Sequence, residues 1–149
     1  MSVVIRPVVA ADWSGWRELW EGYLRFYRED LDEDVSVFTF ERLCEQRDGM
    51  FGLVAEGDDG RLAGIANNLL HPSTWSKTSY CYLEDLFVAP SARGTGAGQA
   101  LIEAVAAEAA RRGADKLYWH TQEYNGPARS LYDLVAKRVS QVVYERELA

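Results

Sequence analysis

The chain has 149 residues, 48% hydrophobic and 26% charged, ordinary proportions for a single globular domain with a proper core. Lys and Arg number 16 against 23 Asp and Glu, and the net charge of −7 opposes non-specific nucleic-acid binding and attracts a cationic substrate. No apolar run approaches a membrane span and MSVVIRPV is no signal peptide, while Cys44 and Cys81 fit no metal or redox spacing, so a reduced, cytoplasmic protein is expected.

In chain order, Val3 to Val9 alternates as a first strand, with Pro7 marking an end or an edge. Asp12 is placed to cap the helix that follows. In that helix Trp13, Trp16, Trp20, Tyr23 and Tyr27 recur every three or four residues, so one face is aromatic and packs on a sheet. Tyr23 and Tyr27 end the stripe, where a hydroxyl can face a pocket. Arg28 to Asp34 carries five acids in seven positions and reads as a solvated loop. Thr39 then caps a second short helix, Phe40 to Gln46, before Asp48-Gly49 turns the chain.

Met50 to Glu56 and Leu62 to Leu70 read as strands joined by the turn Gly57-Asp58-Asp59-Gly60. His71 leaves the second of these for a polar loop, Ser73 to Ser79, and reads as a loop residue. Tyr80 to Val88 is an aromatic and branched strand stopped by Ala89-Pro90. Arg93-Gly94-Thr95-Gly96-Ala97-Gly98 then opens an Ala-rich helix that runs to Arg112 and stops at Gly113. Lys116 to Thr121 is a further strand, with His120 near its end as a structural or solvent-facing residue. Asn125-Gly126-Pro127 starts the next helix, whose apolar face is Ala128, Leu131, Tyr132 and Val135. Val139 to Leu148 alternates and reads as the last strand. The count is mixed α+β, built around one sheet with several antiparallel links.

The order of strand, glycine-rich turn and helix start at Tyr80 to Arg112 makes an anion site. Glycines let backbone N–H groups converge on a ligand, and the first helical turn adds unpaired donors and partial positive charge. A phosphate or pyrophosphate suits it. A P-loop needs Gly-Lys-Ser/Thr, and Gln99-Ala100 follows Gly98 instead. A dinucleotide turn needs GxGxxG after a first strand, whereas this GxGxG lies past the middle of the chain.

Arg93, Gly96 and Gly98 match every fixed position of Arg/Gln-x-x-Gly-x-Gly/Ala, the coenzyme A turn of the Gcn5-related N-acetyltransferases (GNAT). Two stretches, LEDLFVAPSARGTGAG and YWHTQEYNGPARSLYDLVAKR, resemble that family, and WRELWEGYLRFYRE followed by FERL resembles its yeast histone and polyamine branch. The family's Gly-Phe after the helix tyrosine is absent from LVAKRVSQVVYER, so the last strand is expected to pack differently. The resemblance implies a GNAT-type acyl-CoA N-acyltransferase fold over residues 1–149: a mostly antiparallel twisted sheet of about six to seven strands flanked by about four helices.

It also implies acetyl-CoA as cosubstrate, no metal, and direct transfer to a small-molecule amine. That acceptor is expected to be cationic, a polyamine or an amino-acid derivative, and pairing into a homodimer through the C-terminal strands is expected. Leu86, Phe87 and Val88 would pair with the pantetheine arm where the sheet splays, and an N–H near Phe87 would polarise the acetyl carbonyl. The backbone of Arg93, Gly94, Thr95, Gly96, Ala97 and Gly98 would hold the pyrophosphate, with Asn125 as a further contact or a helix cap. Tyr132 matches the family's general acid, and Glu84 the acid that serves as base, directly or through water. Glu84 and Asp85 are adjacent on a strand and so point to opposite faces, and Glu84 is favoured. The family places the connection after the first helix beside the acceptor, which brings in Tyr23, Tyr27 and Glu29. A protein lysine acetyltransferase and a non-catalytic coenzyme A-binding module are the alternatives. A covalent route through Cys81 lacks a base.

Overall fold

The computed structural model describes residues 2–149. A five-stranded sheet runs in the order β1 (Val3–Pro7), β2 (Met50–Gly57), β3 (Leu62–His71), β4 (Ser79–Val88) and β5 (Ala114–Tyr118). The first four strands are antiparallel neighbours, and β5 is parallel to β4. The topology follows from link length. A tight turn closed by Gly60 at φ 79° joins β2 to β3. A parallel pair needs a long crossover, which α3 (Ala97–Arg111) supplies.

α1 (Trp13–Phe26) and α2 (Glu33–Glu45) cover one face of the sheet, and α3 with α4 (Gly126–Val135) covers the other. The aromatic stripe of α1 packs as its spacing predicts. Trp16 is fully buried among Phe40, Val54, Ile65 and Phe87, and its ring stacks on Trp20 at 5.3 Å. Buried indole N–H groups need acceptors. Trp20 donates to Ser36 Oγ at 2.9 Å and Trp16 to Asn67 Oδ1 at 3.3 Å. Behind the sheet, Leu101, Ile102 and Val105 of α3 close on Phe51, Leu53, Cys81 and Leu83.

Four local expectations change. Asp12 precedes α1 without capping it, because the Arg6 guanidinium takes its carboxylate at 2.8 and 2.9 Å and holds its pKa below the usual range. α2 begins at Glu33 rather than Phe40, since Glu33 and Asp34 sit favourably at the positive end of a helix. Thr39 is therefore a buried mid-helix residue, not a cap. His71 closes β3, where its Nε2 lies 2.7 Å from the Tyr118 hydroxyl.

The run Val139 to Leu148 forms no strand, and Val139, Val142, Val143, Tyr144 and Leu148 are exposed. Alternation alone does not make a strand; an edge must accept the backbone bonds. The sheet therefore has five strands rather than six or seven.

Candidate active site

Two irregularities of β4 shape the site. The strand continues to Val88, yet its pairing with β5 ends at Tyr82 opposite Tyr118. Beyond that point the outer edge of β4 is open among the described residues. On its inner edge the register with β3 skips Glu84: Asn67 faces Asp85, and Asn68 faces Leu83. A bulge of this kind adds twist and re-aims side chains. Here it shifts the alternation, so Tyr82 and Asp85 both lie on the side of α1 while Leu83 and Leu86 pack with α3. The simple opposition expected of Glu84 and Asp85 holds only for an unbroken strand.

The open edge runs directly into the glycine turn. Gly94 and Gly96 hold φ of 81° and 89°, and a Cβ at either would meet nothing within 4 Å. Their N–H groups, with those of Ala97, Gly98 and Gln99 at the start of α3, donate to no backbone carbonyl among the described residues. Convergent donors, the positive end of a 15-residue helix and an uncluttered approach fit a pyrophosphate. Arg93 is exposed beside the turn, its Nε 3.3 Å from the Val88 carbonyl oxygen and its guanidinium over the Phe87 ring. Gly96→Ala places a side chain in a left-handed conformation that costs roughly 1–2 kcal/mol, so binding of a pyrophosphate ligand at the turn should weaken by about tenfold. Calorimetric titration checks this, and unchanged affinity would remove the turn from the anion site.

The end of α1, the bulge, the end of β5 and α4 enclose a small pocket lined by Tyr23, Tyr27, Leu83, Glu84, Leu86, Trp119, His120 and Tyr132. The Tyr132 ring meets Trp119 edge-on at 5.4 Å, and burial pushes its hydroxyl up to about 12. Tyr23 stacks on Trp20 at 5.4 Å and tilts against Tyr27 at 4.9 Å. Its hydroxyl lies 3.5 Å from the Glu84 carbonyl oxygen and close to the Asp85 carboxylate, and desolvation with that charge pushes its pKa far up.

Asp85 is the most perturbed acid of the site. Desolvation raises it to about 6, against the hydrogen bonds from Asn67 and Tyr23 that favour its charged form. Asn67 is buried, and its amide has one available orientation. Its Oδ1 accepts from Trp16, so its Nδ2 faces Asp85 at 3.1 Å. Glu84, by contrast, is exposed at the pocket.

The structure thus brings Tyr23, Tyr27, Glu84, Leu86 and Tyr132 together, with Phe87 and Val88 on the adjoining open edge. Glu29 is exposed and does not line the pocket. Asn125 occupies the N-cap position of α4 without a side-chain capping bond. Sequence reasoning missed His120, which lines the pocket.

The model of the Acetyltransferase (GNAT) family matches residues 13–134. A D-amino-acid N-acetyltransferase of Saccharomyces cerevisiae is 32% identical over 145 residues, covering 97% of this chain and 90% of the relative. An uncharacterized N-acetyltransferase of Bacillus subtilis is 35% identical over 87% of this chain and 85% of its own length. Among solved structures, an aminoglycoside N-acetyltransferase in complex with CoA superposes with a TM-score of 0.84 at 21% identity, covering 99% of this chain and 95% of its own. A ribosomal-protein-alanine N-acetyltransferase from Brucella melitensis biovar Abortus 2308 gives 0.82 at 23% identity, covering 99% and 100%. With its motifs, its fold and these relatives in agreement, the chain belongs to the GNAT family and is an N-acetyltransferase.

Proposed function

We propose that this enzyme moves an acetyl group directly from acetyl-CoA to the primary amine of a small molecule, a polyamine or an amino-acid derivative. The observation that carries the reading is the free edge of β4 leading into the unpartnered N–H groups of the glycine turn, with the pocket beside it. Acetyl-CoA supplies an activated thioester. Everything else falls to the chain's own residues.

The backbone from Arg93 to Gly98 holds the pyrophosphate, and the edge from Leu86 to Val88 lines up the arm between pyrophosphate and thioester. Asn125, its side chain free of the cap, adds a contact. An ammonium has an ordinary pKa near 10.4 and must lose a proton before it attacks. Glu84 takes that proton, directly or through water, at the mouth of the pocket. Tyr23 and Tyr27 wall the acceptor, and the exposed acids about Glu29 raise the local concentration of a cation. Tyr132 keeps its proton through the neutral range, the state a general acid starts from. A thiolate of ordinary pKa about 8.5 is a weaker base than the Tyr132 phenolate. The hydroxyl therefore acts first as a hydrogen-bond donor to developing negative charge and yields its proton late.

A homodimer is part of this reading: Val139, Val142, Val143, Tyr144 and Leu148 are apolar and exposed, and the outer edge of β5 is free among the described residues. Light scattering should give about twice the 16.8 kDa chain mass, and a monomer at micromolar concentration would refute pairing. A cytoplasmic location accords with two unpaired cysteines, one of them buried.

The test is thiol release from acetyl-CoA with polyamines, amino acids, aminoglycosides and histone-tail peptides as acceptors. Turnover on a small amine is expected. Turnover on peptides alone would make the enzyme a protein acetyltransferase. Tight acetyl-CoA binding without turnover on any acceptor would favour a regulatory module.

A further inference from the structure

The pocket carries only one side chain able to bear positive charge, His120, which lines it together with Glu84. Its imidazole is braced from behind. Nδ1 lies 3.2 Å from the Tyr82 hydroxyl, and Nε2 has no hydrogen-bond partner among the described residues. Tyr82 stacks on Tyr118 at 5.0 Å, and the Tyr118 hydroxyl is 2.7 Å from His71 Nε2. His71 Nδ1 in turn lies 2.8 Å from the Pro72 carbonyl oxygen. A carbonyl only accepts, so His71 Nδ1 carries the hydrogen and its Nε2 accepts from Tyr118. The chain of contacts His71, Tyr118, Tyr82, His120 therefore runs across three strands, β3, β5 and β4, and ends at the pocket.

Tyr82 holds its hydroxyl proton firmly, being desolvated and close to Glu84 and Asp85. With that proton donated to Nδ1 of a neutral imidazole, the hydrogen of His120 sits on Nε2; in the charged form both nitrogens donate. In both of these states His120 presents a donor from Nε2 to the ligand. A polycation finds nothing to pair with there. A ligand carrying a carboxylate beside its amine does: its ammonium meets Glu84 and its carboxylate meets His120.

We infer that His120, braced by Tyr82, binds the carboxylate of the acceptor and selects an amino acid over a polyamine. The inference rests on the acetyl-transfer reading of the same pocket and narrows its acceptor. Apolar walls at Leu83, Leu86 and Trp119 give the rest of such a ligand a place to bury.

The experiment compares kcat/KM for free amino acids, in both D and L forms, with their C-terminal amides, which keep the amine and lose the charge. Wild type should prefer the free acid by about tenfold, a typical step for one charge-assisted contact. His120→Ala should bring the acid-to-amide ratio close to one, Tyr82→Phe should lower it by a smaller factor, and His120→Lys should recover much of it. A merely structural role for His120 would lower acid and amide together and leave the ratio unchanged, which overturns the inference. Equal use of acids and amides by wild type overturns it too. Turnover of polyamines but no amino acid would overturn the carboxylate assignment and leave acetyl transfer standing. No turnover of any amine would remove both.

Discussion

Tyr132→Phe should lower kcat by about a hundredfold or more while leaving acetyl-CoA affinity within about twofold. The substitution deletes one oxygen. The edge-on contact with Trp119 and the packing of α4 on α3 depend on the ring, which remains, so the melting temperature should barely move. What disappears is the only hydroxyl on α4 that lines the pocket, a group that burial keeps protonated. A general acid contributes about 10²–10⁴ to a rate, and because this hydroxyl starts well above neutrality, the lower end is expected. The loss should fall on kcat more than on KM, since in the proposed role the charge it stabilises develops only as the thiolate leaves. Steady-state kinetics with a matched calorimetric titration make the test. A kcat within threefold of wild type would take Tyr132 out of the chemistry.

The second large effect concerns Asp85. Its carboxyl titrates near 3.9 in an unfolded chain and is raised to about 6 here by desolvation. The folded state thus binds a proton that the unfolded state has already released. Stability from this group is fully present below the unfolded value, falls as pH rises from about 4 to 6, and stays lower above that. A shift of this size corresponds to roughly 2 kcal/mol after allowance for partial exposure of the residue. Asp85→Asn removes the titration. Whatever the fixed offset between the two proteins, the variant should gain on wild type by roughly 2 kcal/mol between pH 4 and pH 7.5. Denaturant unfolding at the two pH values reads that difference directly. Parallel pH profiles would mean that Asp85 ionises normally in the folded chain. The groups facing it are Tyr23 from α1, Tyr27 just after it, Asn67 from β3, and Tyr82 and Glu84 from β4, and none supplies a positive charge. Natural proteins tolerate such a cost where function uses the group. Accordingly Asp85→Asn should also lower kcat/KM, by about tenfold, through loss of the partner that positions Tyr23.

These two residues divide what could be read from the chain. Tyr132 was legible because it belongs to a local pattern, Asn125 to Tyr132, in which cap, proline and apolar period all fall within three turns of one helix. The surroundings of Asp85 were not legible, because the bulge that sets Asp85 on the side of α1 is a property of two paired strands, not of one.

By itself the sequence determined the glycine turn at Arg93 to Gly98, the aromatic face of α1, the helix starts and stops at glycine and proline, and the mixed α+β class. Each depends on φ/ψ preference or side-chain period, which neighbouring residues settle among themselves. Only the tertiary structure decided the rest. Asp12 lost its capping role to Arg6, the amide of Asn67 was turned toward Asp85 by Trp16 from 51 residues away, and His120 was set at the pocket by Tyr82 from 38 residues away. The alternating run at 139–148 pairs with no strand of its own sheet. In every case the deciding partner lies on another element, and a polar group or strand edge takes the partner that packing delivers rather than the one its neighbours suggest.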